Sequence, residues 1–382
     1  MATNTSKGIT YPTSGDSIAP LETVFATLAN TTNTALGAIN ASTDITAGVL
    51  PVARGGTGGA AIGNAAGKNK ILNGDFGIWQ RIFTAGTSTT SGGYYADRFA
   101  YNGPSGFTQR RQTFTPGSAP ATGYEGKYYY NLTLTASNQG YDFLQHVEDV
   151  RTLAGQRVTL SFWARSTAGA QLCNSGIYQY YSAGDIVSAV AVPGQTYDWT
   201  ATSSWQRFTF TMDLPNTVGK TITDLSKLWV RIFRLSQTTT NTSIDIWGVQ
   251  LEAGSMATDF ITATGNFAAE LAACERYYQM FSSASGNIGA GFARTATSAS
   301  IHIPHKSTMR TAPTVASQVS NTTMKITTPG GTAITVTGVS TSNLGTSGSS
   351  VIANIAASSL TVGQGSMLYI TGDDYISLSA EL

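Results

Sequence analysis

Along most of this chain apolar and polar positions alternate one by one. From Arg157 to Ala164, Val158, Leu160 and Phe162 fall on one side of a strand, and Thr159, Ser161 and Trp163 on the other. From Arg207 to Leu214 the apolar side is Phe208, Phe210, Met212 and Leu214. Tyr129 to Leu134, Leu228 to Phe233 and Ser243 to Glu252 repeat the pattern. Strands in this number, with loops rich in Gly, Pro and Ser and no helices between them, predict a jelly-roll β-sandwich over residues 68–262.

Three segments depart from period two. Residues 17–39 place Leu21, Phe25, Leu28, Leu36 and Ile39 on one helical face, with Pro20 and Glu22 suited to the first turn. Alone such a helix is marginal, and its narrow apolar stripe predicts a short bundle of identical chains within residues 1–48. Residues 49–67 are rich in Gly and Ala, and Gly56 to Ala61 match a G-x-G-x-x-A spacing. A dinucleotide site also needs a strand before the motif and a helix after it, and here the next residues are Ile-Gly-Asn-Ala-Ala-Gly. Gly55, Gly56, Gly58 and Gly59 are therefore read as a hinge where the backbone turns or approaches another chain. Finally, Phe267, Leu271, Cys274, Tyr278 and Phe281 return to helical spacing and predict a connecting helix within 263–283. Beyond it, strands at 300–303, 324–328, 333–339, 351–355 and 367–382 predict a smaller C-terminal β-sandwich over 284–382. The expected class is mainly β.

Composition narrows the function. Charged residues are 11% of the 382, against roughly 25% in a typical soluble domain, and the net charge is +1. Affinity for nucleic acid rests on Lys and Arg neutralising phosphates, so no nucleic-acid partner is expected. A surface of hydroxyls and amides suits a Thr-rich β structure or the recognition of sugars. No apolar run approaches the roughly 18 residues of a membrane span, and the start, MATNTSKGIT, does not read as a signal peptide. Cytoplasmic synthesis without membrane insertion is expected. Cys173 and Cys274 read as buried thiols, and no cofactor is expected.

Glycan cleavage would need two carboxylates across a groove. Acids near aromatics are Glu125, Asp142, Glu148, Asp149 and Asp185, but sequence does not give their separations. His146, His302 and His305 have no matching Ser or Cys motif. Sugar binding needs flat aromatic faces beside amides and carboxylates. The clusters from Gly123 to Asn131 and from Gly176 to Gly184 supply tyrosines. Tyr128, Tyr130, Leu132 and Leu134 share one strand face and read as core or subunit interface. Tyr180, Tyr181 and Trp199 are taken as glycan-binding candidates, with Asp373 and Asp374 in a tip loop, where a plain turn is the competing reading.

Several motifs, in order, resemble bacteriophage tail fibres. Ile9 to Ala29 resembles the virion-proximal start of such fibres, and Leu50 to Gly58 (LPVARGGTG) a hinge recurring in their shafts. Lys68 to Arg81 (KNKILNGDFGIWQR), Tyr94 to Phe99, Leu153 to Ser166 and Val249 to Phe260 resemble the opening, middle and end of a carbohydrate-binding-like jelly roll. Glu270 to Phe281, Met309 to Val315 and the final SAEL follow the same pattern. The resemblance implies a homotrimeric tail fibre of the virion. Residues 1–48 would dock on phage tail or baseplate proteins, and the distal sandwiches would meet a host surface polysaccharide, without enzymatic activity. A fibre-borne depolymerase and a purely structural connector are the alternatives. Related jelly rolls hold a structural calcium with a Glu where this chain has Gly77, which leaves Asp75 and Asp245 as weak calcium candidates.

Overall fold

The structure is a computed structural model. It describes residues 67–81, 93–103, 107–134, 140, 142–167, 169–182, 184–188, 190–191, 197–235, 243–283, 286–318, 323–331 and 333–382, and before them 3–4, 10–11 and 30. The chain divides into two units, Met1–Asn64 and Ala65–Leu382. In the first, β1 (Thr3–Asn4) pairs antiparallel with β2 (Thr10–Tyr11). Apart from Asn30, the helix expected over 17–39 lies outside the described residues, as do the hinge glycines Gly55, Gly56, Gly58 and Gly59.

The second unit begins with strands β3 (Phe99–Asn102), β4 (Phe107–Thr113), β5 (Tyr128–Leu134), β6 (Asp142–Glu148), β7 (Arg157–Ser166) and β8 (Gln171–Ser182). There follow β9 (Asp185–Ser188), β10 (Val190–Ala191), β11 (Asp198–Ala201), β12 (Gln206–Asp213), β13 (Lys227–Leu235) and β14 (Ser243–Ala253). They form two antiparallel sheets. One runs β10-β12-β7-β14-β5-β4; the other runs β11-β8-β13-β6-β3, with β9 beside β8. Aromatic rings fill the space between. Phe143 of β6 stacks within 4.3 Å of Tyr130 on the first sheet, and within 5.2 and 5.4 Å of Phe99 and Phe233 on its own. The alternation expected of 157–164, 207–214, 129–134, 228–233 and 243–252 is thus realised as strands.

β14 is buried on both faces over nearly its whole length, so its polar residues Ser243, Asp245, Gln250 and Glu252 are enclosed along with its apolar ones. Its pairing with β7 shifts register after Trp247, where Gly248 has φ +67° and a Cβ would meet the Trp163 ring at 2.7 Å. Only glycine permits that bulge.

Helix α1 (Phe267–Glu275) follows, its N-terminus capped by Asn266, whose side chain accepts from the Ala269 amide at 2.9 Å. The helix is shorter than expected. Tyr278–Phe281 forms β15, paired with β23 (Tyr375–Ser379), so inter-strand pairing overrides the helical spacing there. Phe267, expected on the buried face, is 64% exposed, whereas Cys274 is fully buried.

Residues 287–370 form a closed barrel in place of the expected second sandwich. Its strands are β16 (Asn287–Thr295), β17 (Ser298–Pro304), β19 (Met324–Thr327), β20 (Ala333–Leu344), β21 (Gly348–Ile355) and β22 (Gly365–Ile370), in the order β16-β17-β21-β20-β19-β22. Pairing of β22 with both β16 and β19 closes the ring and removes the free edges. Alternating inward residues such as Ile301, Ile303, Ile326, Val351 and Leu368 fill it. A Cβ on Gly291 would collide with the Ser300 carbonyl oxygen, so glycine allows β16 and β17 their close approach. β23 leaves the barrel to lie between β15 and β18 (Thr314–Gln318).

The end of the chain is anchored on the sandwich by buried charge. Glu381 accepts from Arg81 at 2.8 Å and from Arg98, whose guanidinium lies 3.4 Å from the centre of the Tyr277 ring. Arg98 also donates to the His146 carbonyl oxygen at 2.7 Å, and Tyr94 donates to that of Leu382 at 2.9 Å. Replacing Glu381 by Gln strips the buried Arg98 of its counter-charge, while Arg81 keeps Asp97 at 3.8 Å, and is expected to cost about 3–5 kcal/mol, read by urea unfolding. An unchanged midpoint would contradict this anchoring.

The same region titrates. Burial, with Lys227 and Arg98 nearby, lowers the His146 pKa from 6.5 to about 3. The unfolded chain therefore takes up a proton as pH falls through 6.5 while the folded chain does not, and stability is lost between about 6.5 and 3. Burial raises Asp97 from 3.8 to about 6, which acts in the opposite sense: folding gains as pH falls from about 6 towards 4. Down to pH 4 the two effects nearly cancel, so the unfolding free energy of the parent should change little between pH 7 and pH 4, whereas His146→Gln, which keeps only the Asp97 effect, should gain stability on acidification.

Candidate functional site

The pleat of the second sheet decides which of the predicted residues reach solvent. On β8, Ile177, Gln179 and Tyr181 point inward and are buried, while Tyr178 and Tyr180 point outward and are half-buried. Tyr181 is fully buried, its hydroxyl donating to the Asn216 carbonyl oxygen at 3.3 Å. Trp199 on β11 likewise faces inward, 4.3 Å from Phe208 and 5.2 Å from Phe162, and donates Nε1–H to Ser175 Oγ at 2.9 Å. Of the three aromatic candidates only Tyr180 is placed to meet a ligand; the other two are core.

On β13 the inward residues are Leu228, Val230, Ile232 and Phe233, and the outward ones Lys227, Trp229, Arg231 and Arg234. Strict alternation would turn Arg234 inward. A register shift between Arg231 and Arg234 inserts one extra residue and returns Arg234 to the outer face. Register then sets Trp229 opposite Tyr178, Lys227 opposite Tyr180, and Arg234 opposite Asp142 of β6.

Asp142, Tyr178, Tyr180, Trp229, Arg231 and Arg234, with Ile186 of β9, line an open cleft of about 260 Å³, and Lys227 stands beside it, its ammonium 5.9 Å from the Tyr180 ring centre. Tyr180 and Trp229 stack at 5.3 Å and 24°, and Tyr178 lies 6.2 Å from the same indole. His146 meets the indole at its edge, at 5.8 Å. Arg234 binds Asp142 through two hydrogen bonds of 2.6 and 2.7 Å, so both carboxylate oxygens are engaged. The Arg231 guanidinium sits 5.1 Å from the Tyr178 ring centre and donates to Asn174. Two enclosed donors of the cleft wall, Trp229 Nε1 and Arg231 Nε, have no acceptor among the described residues. Burial lowers the Arg231 pKa and raises that of Tyr180. The arrangement offers flat aromatic faces beside a planar cation and a carboxylate.

A larger cleft of about 680 Å³, lined among others by Trp79, Phe281, His305 and Lys306, is chemically quieter. Both His305 ring nitrogens are bonded, to Thr346 O at 2.8 Å and Ser349 Oγ at 2.9 Å, and Lys306 donates to the Met280 carbonyl oxygen.

The remaining candidates are local. Asp374 is buried and accepts from the Thr323 and Met324 amides at 3.2 and 3.0 Å; Asp373 is exposed beside it, in the turn between β22 and β23. Asp75 accepts from Gly77 N at 3.2 Å, a turn contact, and from the Tyr124 hydroxyl at 2.7 Å. Asp245 is held by Asn131 at 2.6 Å and Arg165 at 2.7 Å. Among the described residues no group of three or more His, Cys, Asp or Glu converges as a metal site, and no helix is long and apolar enough to cross a membrane. Cys173 and Cys274 are free and buried.

Sequence reasoning missed Trp229, Arg231 and Arg234; it met Asp142 only as an acid near aromatics and Tyr178 only within the Gly176–Gly184 cluster. A signal existed: in Leu228 to Phe233 an indole and a guanidinium occupy the polar side of an otherwise regular strand. The bulge that adds Arg234 left none.

No family model matches the chain, and no curated protein matches it. Among solved structures it is similar to the enzymatically active domain of tailspike protein 4 of bacteriophage CBA120, with 15% identity, 49% of this chain and 22% of that one covered, and a TM-score of 0.32. The chain thus spans about a fifth of that protein's length. It is also similar to a putative sugar binding protein from Bacteroides thetaiotaomicron VPI-5482, at 13% identity, with 49% and 100% covered and a TM-score of 0.32. A third match is the N-terminal cellulose-binding domain of Cellulomonas fimi beta-1,4-glucanase C, at 14% identity, with 41% and 93% covered and a TM-score of 0.27.

The inward and outward aromatics should separate in unfolding measurements. Trp199→Ala empties a core position and is expected to cost about 3–5 kcal/mol, whereas Trp229→Ala on the outer face should cost clearly less. Equal losses would contradict the assignment of faces.

Proposed function

We propose that the protein is a bacteriophage tail-fibre adhesin that recognises a host cell-surface glycan, such as lipopolysaccharide, in the cleft formed by Tyr178, Tyr180 and Trp229. The observation that carries this reading is the Tyr180–Trp229 stack on an open sheet face. Aromatic faces of this kind suit the apolar faces of pyranose rings.

The ordered motifs of the sequence support the tail-fibre assignment. Residues 1–48 attach the fibre to tail or baseplate proteins, three chains associate, and the fibre works in the virion. Binding at one cleft is weak, and repetition over three chains raises the effective concentration. The activity is adhesion without catalysis. Asp142, the carboxylate lining the cleft, has both oxygens committed to Arg234 and is not free to act as acid or nucleophile.

The test is retention of the purified protein on host cells, with reducing-end release from extracted polysaccharide scored in parallel. Retention without release is expected, and Trp229→Ala should weaken it by about thirtyfold or more, as a central aromatic anchor does, while Tyr181→Phe leaves it unchanged. Release of oligosaccharide would establish a depolymerase instead. Retention untouched by Trp229→Ala would remove this cleft from the receptor site.

A further inference from the structure

The cleft has an unbalanced charge. Along the outer face of β13 stand Lys227, Trp229, Arg231 and Arg234, so an indole lies between cations. Asp142 answers Arg234 through both oxygens, and the nearer Arg231 nitrogen is 3.9 Å from it. Lys227 has no carboxylate partner among the described residues; its ammonium lies 5.9 Å from the Tyr180 ring centre. Glu148, across the strand pair from Lys227, is taken up by Arg276 at 3.0 Å and by the Tyr277 hydroxyl at 2.8 Å. Asp185 is taken by Lys220 at 3.0 Å. In a chain whose net charge is only +1, this face concentrates three cations against one carboxylate.

Building on the glycan reading above, we infer that the cleft selects an acidic saccharide, with the carboxylate of a hexuronate-type unit meeting Lys227 while its ring stacks on Tyr180 and Trp229. The dimensions agree. Outward residues two apart on a strand are separated by about 7 Å, so Lys227 stands about one sugar ring's distance from Trp229, and its ammonium lies beside the Tyr180 ring. Burial, with Arg310 and Arg98 nearby, lowers the Lys227 pKa. A carboxylate placed there therefore relieves cation repulsion, which a neutral hydroxyl does not.

The experiment measures binding of the full chain to immobilised glucuronate-, galacturonate- and mannuronate-containing oligosaccharides, each compared with its carboxyl-reduced counterpart, at low and high salt. The acidic forms should bind about tenfold tighter, the scale of one charge-assisted hydrogen bond, and the preference should shrink with salt. Lys227→Gln should remove most of the preference and leave binding of the reduced forms intact. Trp229→Ala should abolish binding of both. Equal binding of acidic and reduced forms, lost in Trp229→Ala, overturns the acidic preference while the glycan cleft stands. Acidic binding that survives Trp229→Ala overturns both, because charge alone would then explain it; so does absence of binding to every acidic and reduced form.

Discussion

The bulge in β13 between Arg231 and Arg234 sets the character of the whole outer face of the second sheet. Before it, the strand buries Leu228 and Val230 and presents Lys227, Trp229 and Arg231; after it, Ile232 and Phe233 are both inside and Arg234 is again outside. Because the side-chain period is two, a one-residue slip elsewhere in this strand would exchange core and cleft. The inner half holds register through the Phe143, Tyr130 and Phe233 stack, whose burial is lost if the strand moves. Core packing thus fixes the positions of groups that contribute nothing to the core.

This coupling explains why an open cleft is well defined. Tyr178 and Tyr180 are neighbours on β8, Trp229 faces Tyr178 across the ladder, and Asp142 arrives from β6 on the other side of β13. Three adjacent strands supply the site, and each is paired on both sides in the middle of its sheet. The buried link among Arg81, Arg98 and Glu381 extends the same frame to the end of the chain, with His146 serving both: its carbonyl oxygen accepts from Arg98 and its ring touches Trp229. Breaking that link is expected to loosen the cleft floor as well as the anchor.

The strands were legible in sequence because one side of each faces the aromatic core while the other meets water or a second, more polar layer, as Thr159 and Ser161 on β7 and Asp245, Gln250 and Glu252 on β14 do although they are buried. β6 carried less signal, since its first four residues are buried on both faces. Residues 278–281 were misread because the spacing of Tyr278 and Phe281 fits a helix, and only pairing with β23, nearly a hundred positions away, decides for strand. Barrel closure is likewise nonlocal: it depends on β22 meeting both β16 and β19. For the site, parity along β8 separates Tyr180 from Tyr181, and the polar side of β13 exposes Trp229; the Arg234 position follows from a bulge that composition does not announce.

The most direct test of the glycan cleft is to follow the indole N–H resonances of the six tryptophans while host polysaccharide fragments are titrated in. The account predicts that Trp229, whose Nε1–H has no acceptor among the described residues, shifts most, while Trp199, already bonded to Ser175, stays still. Saturable binding that leaves Trp229 unmoved would contradict it.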